Sequence, residues 1–222
     1  MIYLLLFSSV FIGYFIALIL KVKEVKSLSI YLAFSGAFLL ALTIFELLPE
    51  VYQNPNKTIG VYIIAGILLQ IVLEFFSQGA EHGHVHIHEH NTAFPWLLFV
   101  SLSIHALLEG VPINENNNLL LGIMVHKIPI ALILSIFFIK ANYKKTTTLL
   151  FLILFGLMTP LGNWLSNNFE IIQNYHKEIT AIAIGVFFHV STTILFESSK
   201  NHQFNVSKMS AVIIAVVMAY FL

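Results

Sequence analysis

Residues 119–139 read LLLGIMVHKIPIALILSIFFI, an apolar run whose one charged residue is Lys127. A helix of about 20 residues is as long as the ~30 Å hydrocarbon core of a bilayer is thick. The stretch therefore predicts a transmembrane helix.

Runs of the same kind follow one another along all 222 residues, of which 58% are apolar and 10% charged. A soluble domain has ~25% charged residues, so the composition favours a membrane protein. The sequence predicts an all-α polytopic membrane protein in which residues 1–222 form a single transmembrane domain. The eight predicted spans are Ile2–Leu20, Leu28–Leu48, Ile59–Phe76, Phe94–Val111, Leu119–Ile139, Thr147–Leu165, Ile179–Phe196 and Met209–Leu222.

Charge and cysteine content exclude several classes of function. Eleven acidic and eleven basic residues give a formal net charge of zero, so no basic groove for nucleic acid is expected. Since the chain has no cysteine, disulfides, thiolate catalysis and Cys-ligated zinc or iron–sulfur sites are excluded. The first span has no charged n-region or small-residue cleavage site, so we expect it to remain as a helix.

The distribution of lysine predicts the orientation in the membrane. The loops after spans one, three, five and seven contain eight lysines, and the opposite loops contain two. Because cytoplasmic loops are enriched in lysine and arginine, we expect both termini to lie outside and residues 78–93 to form a cytoplasmic loop. We expect the protein in the cell membrane, that is, the plasma or inner membrane.

Ionisable residues inside the spans are costly and indicate a site. His105 and Glu109 are four residues apart, so they share one face of the fourth helix. His126 lies in the fifth span, where Pro129 is expected to break the helix beside a hydrated cavity. Two imidazoles and a carboxylate suit Zn²⁺ and neighbouring divalent ions. The alternative is a His–Glu hydrogen bond that only joins two helices, worth ~0.6 kcal/mol.

Further polar groups are candidates for weaker roles. In the sixth span, Pro160 and Gly162 are expected to break or thin the helix and to let a neighbouring helix approach closely. In the seventh span, His189 is interpreted either as a pathway residue or as a packing residue. The loop EHGHVHIHEH predicts weak, exchangeable metal binding, with a polar linker as the alternative. Its histidines are His82, His84, His86, His88 and His90.

Taken together, these residues resemble the ZIP family of divalent metal transporters (the Zrt/Irt-like proteins). The resemblance rests on SGAFLLALTIFELLPE in the second span, HALLEG in the fourth, HKIP in the fifth, GLMTPLG in the sixth and the position of the histidine-rich loop. It implies an eight-helix ZIP-like bundle, in which helices one, four, five and six move against helices two, three, seven and eight. It also implies metal movement from outside to the cytoplasm, and it leaves a homodimer open.

The resemblance assigns roles to individual residues. His105, Glu109 and His126 fall on metal-ligand positions of the family. Glu46 and Glu50 fall at the outer end of the second helix, where an acidic residue often guards the entrance.

The chain departs from family members that bind two adjacent metals. The further polar or acidic positions of those members are here Ala106, Lys127, Ile130 and Thr159. We therefore predict one metal, with the Lys127 ammonium in the electrostatic place of a second. In the empty carrier Lys127 would neutralise Glu109, and it would turn away or lose its proton when zinc arrives.

The expected function is transport of a divalent cation, with Zn²⁺ as substrate, with Fe²⁺, Mn²⁺ and Cd²⁺ left open, and without enzymatic activity. The alternatives are a membrane-embedded metalloenzyme and a metal sensor that uses the histidine loop. Against a metalloenzyme, the chain has no HExxH motif, and Glu109 is the one intramembrane carboxylate expected beside the histidines. A sensor leaves the intramembrane residues unexplained.

Overall fold

The computed structural model describes residues 1–20, 28–53, 57–77, 94–114, 118–197 and 206–222. Every regular element in these ranges is helical. A short helix, Glu170–Asn174, lies between the sixth and seventh long helices. The long helices are α1 (Ile2–Leu20), α2 (Leu28–Val51), α3 (Lys57–Ser77), α4 (Trp96–Gly110), α5 (Leu119–Lys140), α6 (Lys145–Asn168), α7 (His176–Glu197) and α8 (Val206–Phe221).

Six of these helices are long and apolar enough to cross a membrane, namely α1, α2, α3, α5, α6 and α7, with mean hydropathy from 1.7 to 2.4. Helices α4 and α8 are also apolar but have only 15 and 16 residues. At 1.5 Å per residue they are shorter than the hydrocarbon core. The chain is thus an all-α, multi-pass membrane protein, and six of the eight predicted spans have the length and composition of a spanning helix.

The helices pack as two groups. In the first group, α1 lies along α5 and α6, and α4 lies along α6. In the second, α3 lies along α7, and α2 lies along α8 and α7. The groups meet mainly where α2 contacts α5 and where α3 contacts α4. These are the two sets of helices that the family resemblance implies.

Glycines allow the closest helix contacts within each group. A Cβ atom on Gly162 of α6 would overlap the carbonyl oxygen of Leu107 in α4. Gly66 and Gly185 bring α3 and α7 together in the same way. Helices in a bilayer associate through such small residues, because lipid supplies no hydrophobic drive between them. The predicted close approach at Gly162 is confirmed.

The prolines act differently from the prediction. Helices α5 and α6 continue through Pro129 and Pro160, so the expected breaks are not present there. Both prolines are buried inside continuous helices. Each costs one backbone hydrogen bond, and such a loss is tolerated where neighbouring helices pack around the proline.

An irregular turn is present in α2, at a position where the sequence predicts none. Residues Thr43–Leu47 form a π-helical turn, and the N–H of Leu48 donates to the carbonyl of Thr43. Pro49 follows at once and cannot donate to the carbonyl one turn before it, which favours the wider turn at this position.

Some predictions fall on residues outside the described ranges. The loop 78–93 is one of them, together with His82, His84, His86, His88 and His90. Their role, the single-domain organisation and the orientation of the termini stay predictions.

Candidate metal centre

Helices α4 and α5 bring His105, Glu109 and His126 together. The Nε2 atom of His105 lies 3.0 Å from Glu109 Oε1, and Nε2 of His126 lies 4.0 Å from the same oxygen. One ligand atom from each residue falls within 4.8 Å of the others. The three residues are at most 3% exposed. Residues far apart in sequence thus form a compact N, N, O donor set inside the bundle.

The second oxygen of Glu109 has different neighbours. The Lys127 ammonium lies 2.8 Å from Oε2, and the Thr159 hydroxyl lies 3.3 Å from it. The same ammonium stands 4.6 Å from the centre of the Phe155 ring, in cation–π geometry. Both the amine and the ring are buried. The carboxylate therefore presents Oε1 to the imidazoles and Oε2 to a cation of the protein itself.

The donor set leaves room for a small ion. A cavity of about 10 Å³, roughly enough for one water molecule, lies among the three residues and Lys127. Leu102, Ile130 and Phe155 complete its walls. Catalytic and exchangeable zinc sites commonly have three protein ligands and one open position, whereas structural sites are closed by four. The arrangement thus fits a divalent ion that is bound and released.

A residue that the sequence analysis missed supports His105. Gln70 of α3 is fully buried, and its Oε1 lies 3.0 Å from Nδ1 of His105. The signal was present in the sequence, because Gln70 is a polar residue within the apolar third span.

His189 lies in a second polar pair, apart from the three-residue cluster. Its Nε2 contacts Oε2 of Glu74, and both side chains are partly buried. Glu74 also lies within the predicted third span, so the expectation of Glu109 as the one intramembrane carboxylate was wrong. Glu74 follows Gln70 by one helical turn on α3, and this i,i+4 spacing was visible in the sequence.

The two acidic residues predicted at the entrance differ in their surroundings. Glu46 accepts hydrogen bonds from the backbone N–H of Asn118 at 2.8 Å and from its side-chain amide at 3.0 Å. Asn118 is the N-cap of α5, so this carboxylate from α2 satisfies the start of the helix that carries His126. Glu50 lies in the last turn of α2 and is partly buried.

The sequence departs from family members that bind two metals at Ala106, Lys127, Ile130 and Thr159. These four residues lie around the cluster. Ala106 and Ile130 are buried and apolar, and Thr159 contributes a hydroxyl to Glu109. None of these positions contributes a carboxylate.

Apolar helices packed around two buried imidazoles and a carboxylate define a multi-pass membrane protein with a candidate metal centre. The chain is 33% identical over 87 residues to a protein of Danio rerio named zinc transporter ZIP1, covering 36% of this chain and 29% of that protein. It is 28% identical over 152 residues to protein zntD of Dictyostelium discoideum, covering 58% of this chain and 22% of that protein. No protein-family model matches the chain.

These relationships are distant, and the chain spans less than a third of the length of either relative. They support a relationship to zinc transporters at the level of the family. The Danio rerio protein is named as a transporter, which is consistent with the prediction of a chain without enzymatic activity.

Proposed function

We propose that this protein transports divalent metal cations, foremost Zn²⁺, across a membrane through a site formed by His105, Glu109 and His126. The observation that carries the proposal is the burial of these three ligands between apolar helices, with their donor atoms within 4.8 Å of one another. Ionisable groups buried at this depth are costly unless they are paired, hydrated or bound to a metal, because hydrocarbon cannot solvate them. The similarity to a protein named as a zinc transporter supports zinc as the ion.

The competing interpretation is a structural network that joins helices. Lys127 already neutralises Glu109, and Thr159 donates to it, so the carboxylate is satisfied without a metal. This network accounts for Oε2, and a hydrogen bond from His105 Nε2 accounts for one imidazole at Oε1. It does not account for His126, whose Nε2 also approaches Oε1 but stays 4.0 Å away, beyond hydrogen-bond distance. A cation at Oε1 accounts for the histidines, which favours the metal site.

The proposal includes a direction and a topology. Eight helices would cross the membrane, with α4 and α8 as the shorter spans, and both termini would face outward in the cell membrane. The ion would pass from outside to the cytoplasm, from Glu46 and Glu50 through the cluster toward His189 and then the histidine-rich loop 78–93. The lysine distribution and the order of these residues along the helices support this route. Fe²⁺, Mn²⁺ and Cd²⁺ are further candidate substrates of the same donor set.

We further propose that the site holds one metal and that Lys127 occupies the electrostatic place of a second. The ammonium lies at Oε2, on the side of the carboxylate where a bridged second ion would have to bind. Ile130 and Phe155 complete that side with apolar groups. At 4 Å and an effective dielectric constant of 20, each pair of unit charges interacts by ~4 kcal/mol, so the ammonium opposes any additional dication.

The test is zinc uptake into liposomes that contain the purified protein and a zinc-sensitive dye. Wild-type protein should produce a zinc-dependent signal, and His105→Ala and Glu109→Gln should abolish most of it. His176→Ala is the matched control, because His176 lies outside the cluster and its ring contacts the carbonyl of Val111. Absence of uptake by wild-type protein would favour a sensor or scaffold. Wild-type rates in both cluster variants would place the transport site elsewhere.

A further inference from the structure

Gln70 is a buried polar side chain that contacts the proposed metal centre from outside it. It belongs to α3, in the group of helices opposite to α4 and α5, which carry the three ligands. Its side chain is 0% exposed and reaches across the boundary to His105 Nδ1. An amide inside an apolar helix is costly unless it is hydrogen-bonded, so this contact needs a reason.

The chemistry of the contact restricts the histidine ring. The Oε1 atom of Gln70 can only accept a hydrogen bond, so Nδ1 of His105 carries the proton. In a neutral imidazole the other nitrogen, Nε2, then bears the lone pair. This is the atom that lies 3.0 Å from Glu109 Oε1. With no ion between them Nε2 donates a hydrogen bond to this oxygen, because two acceptors at this distance would repel each other. A metal ion between the two atoms would take the place of that proton and bind the Nε2 lone pair.

A second hydrogen bond joins α3 and α4 close to Gln70. The hydroxyl of Ser101, one turn before His105 on α4, donates to the backbone carbonyl of Leu73 on α3. This bond is separate from the Gln70–His105 contact, so the two contacts can be removed one at a time.

We propose that Gln70 is a positioning residue of the metal site. Its amide oxygen accepts the Nδ1 proton of His105 and so turns Nε2, as a metal-binding nitrogen, toward Glu109 and His126. Partners of this kind orient a ligating imidazole and increase its basicity. The inference rests on the proposed function, since it requires that His105 bind the ion. It also makes the affinity of the site depend on a helix that contributes none of the three ligands.

The experiment measures Zn²⁺ affinity by chelator competition on purified protein in which residues 81–90 are deleted, so that the histidine loop does not contribute. Gln70→Met removes the acceptor at nearly constant volume and should weaken binding by ~10–100-fold, the usual cost of losing such a partner. Gln70→Glu keeps an acceptor at the same position and should bind zinc close to wild type. Gln70→Leu is a second variant without an acceptor, in case Gln70→Met does not fold.

Two controls separate positioning from stability. Ser101→Ala removes the neighbouring α3–α4 hydrogen bond without touching His105, and should lower the melting temperature while leaving zinc affinity close to wild type. The visible absorption of bound Co²⁺ should change in Gln70→Met and be preserved in Ser101→Ala and Gln70→Glu, because only the first removes the acceptor that orients a ligand.

The outcomes separate this inference from the proposed function. If Glu109→Gln binds zinc as tightly as wild type, the proposed site is wrong and the role of Gln70 is wrong with it. If Glu109→Gln loses affinity but Gln70→Met and Gln70→Leu do not, only the inference about Gln70 is overturned. Equal losses of zinc affinity in Gln70→Glu and Gln70→Met would also overturn it. A role in packing alone would be disturbed to the same extent whether or not the new side chain accepts a hydrogen bond.

Discussion

At the scale of single residues, the two carboxylate oxygens of Glu109 have different neighbours. Its Oε1 faces His105 and His126, and its Oε2 faces Lys127 and Thr159. The Lys127 ammonium competes with an ion for the same carboxylate, whether it stays at Oε2 or turns away when zinc binds. Either way, part of the attraction between zinc and Glu109 is offset by the amine.

Substitution of Lys127 tests this competition. Lys127→Ala should tighten zinc binding by at least tenfold, because each unit-charge pair at about 4 Å is worth several kcal/mol in a partly hydrated site. The number of metals bound should stay at one per chain, because the substitution adds no ligand. Equilibrium dialysis with metal analysis, on protein lacking residues 81–90, measures both quantities.

The reverse change should alter stoichiometry. Lys127→Glu adds a carboxylate beside Oε2 of Glu109 and should allow nearly two metals per chain. Two metals in the transport site of the otherwise unmodified protein would refute the role given to Lys127.

The residues of the cluster could be predicted from sequence because each is an ionisable group in an apolar run. The i,i+4 spacing of His105 and Glu109 fixed their common face, and their separation in the structure follows from it. Gln70 and Glu74 were not recognised, although both interrupt an apolar span. Their partners lie on other helices, and no local pattern shows which helices are neighbours.

At the scale of helices, the position of α4 depends on its contact with α6. Gly162 lies against the backbone of Leu107, and Gly110 lies against the backbone of Thr159. The buried Asn163 amide also donates to the carbonyl of Gly110 at 3.3 Å. Since α4 carries two of the three proposed ligands, this contact sets the geometry of the site.

Two glycines of α6 provide a matched test of this contact. In Gly162→Ala the new methyl group would meet a backbone carbonyl, so α4 must shift, and we expect a loss of about 1–3 kcal/mol in stability together with weaker zinc binding. In Gly156→Ala the methyl group would meet the ring of Phe7 at 3.3 Å and Cβ of Val10 at 3.6 Å, of which only the ring is close, and it can move by the small distance required. Melting temperatures in detergent should separate the two variants. Equal stability would show that α4 and α6 are not held by this contact.

The contact between α2 and α5 gives a prediction about Glu46. Glu46→Ala would leave the Asn118 N–H and amide at the start of α5 without their carboxylate, and should cost about 1–3 kcal/mol of stability. Glu50→Ala removes the same charge one turn further along α2 and should leave the melting temperature close to wild type.

Removal of both charges tests the entrance. The double variant Glu46→Ala/Glu50→Ala should have a weaker apparent affinity for zinc in uptake. The difference from wild type should be larger at low salt, because the attraction between the two carboxylates and the ion is less screened there. An unchanged concentration dependence of uptake would exclude both residues from the pathway.

The sequence was less informative about helix interruptions. Pro129 and Pro160 predict interruptions in α5 and α6, but both helices are continuous. A buried proline is tolerated where neighbouring helices pack around it. The π-helical turn of α2 was missed for a related reason. Pro49 indicates a lost hydrogen bond, but it does not show how the preceding turn compensates.

At the scale of the whole molecule, two groups of helices meet around a site that belongs to one of them. The ligands come from α4 and α5, whereas α2 and α3 contribute Glu46 and Gln70 from the other group. In the part of the chain that the structure describes, polar contacts across the boundary thus include those at the site and at the start of α5. A relative movement of the two groups would have to change these contacts.

The histidine-rich loop is expected to act after translocation. If its histidines bind metal from a solvated loop, as the sequence predicts, each contact to a metal is offset by the entropy of ordering the chain, and the affinity should be modest. Deletion of residues 81–90 should leave measurable zinc uptake and mainly change its rate. Complete loss of uptake, in a variant that still folds and inserts, would contradict a role in buffering or transfer alone.

The overall architecture was predictable because span length and apolar composition are set by the bilayer and can be read along the chain. The pairing of helices was not, because it depends on the surfaces that glycines such as Gly66 and Gly185 leave open. The shortness of α4 was also not foreseen. Its predicted span, Phe94–Val111, includes residues at both ends that lie outside the helix.

The most direct test of the central claim is to locate zinc in the protein itself. An anomalous-scattering map of zinc-loaded protein lacking residues 81–90 should show one ion in the transport site. The account predicts that this ion lies about 2.0–2.2 Å from Nε2 of His105, Nε2 of His126 and Oε1 of Glu109, the distances usual for zinc. A map with zinc bound elsewhere, for example at Glu74 and His189, and with the cluster closed by Lys127 alone, would contradict it.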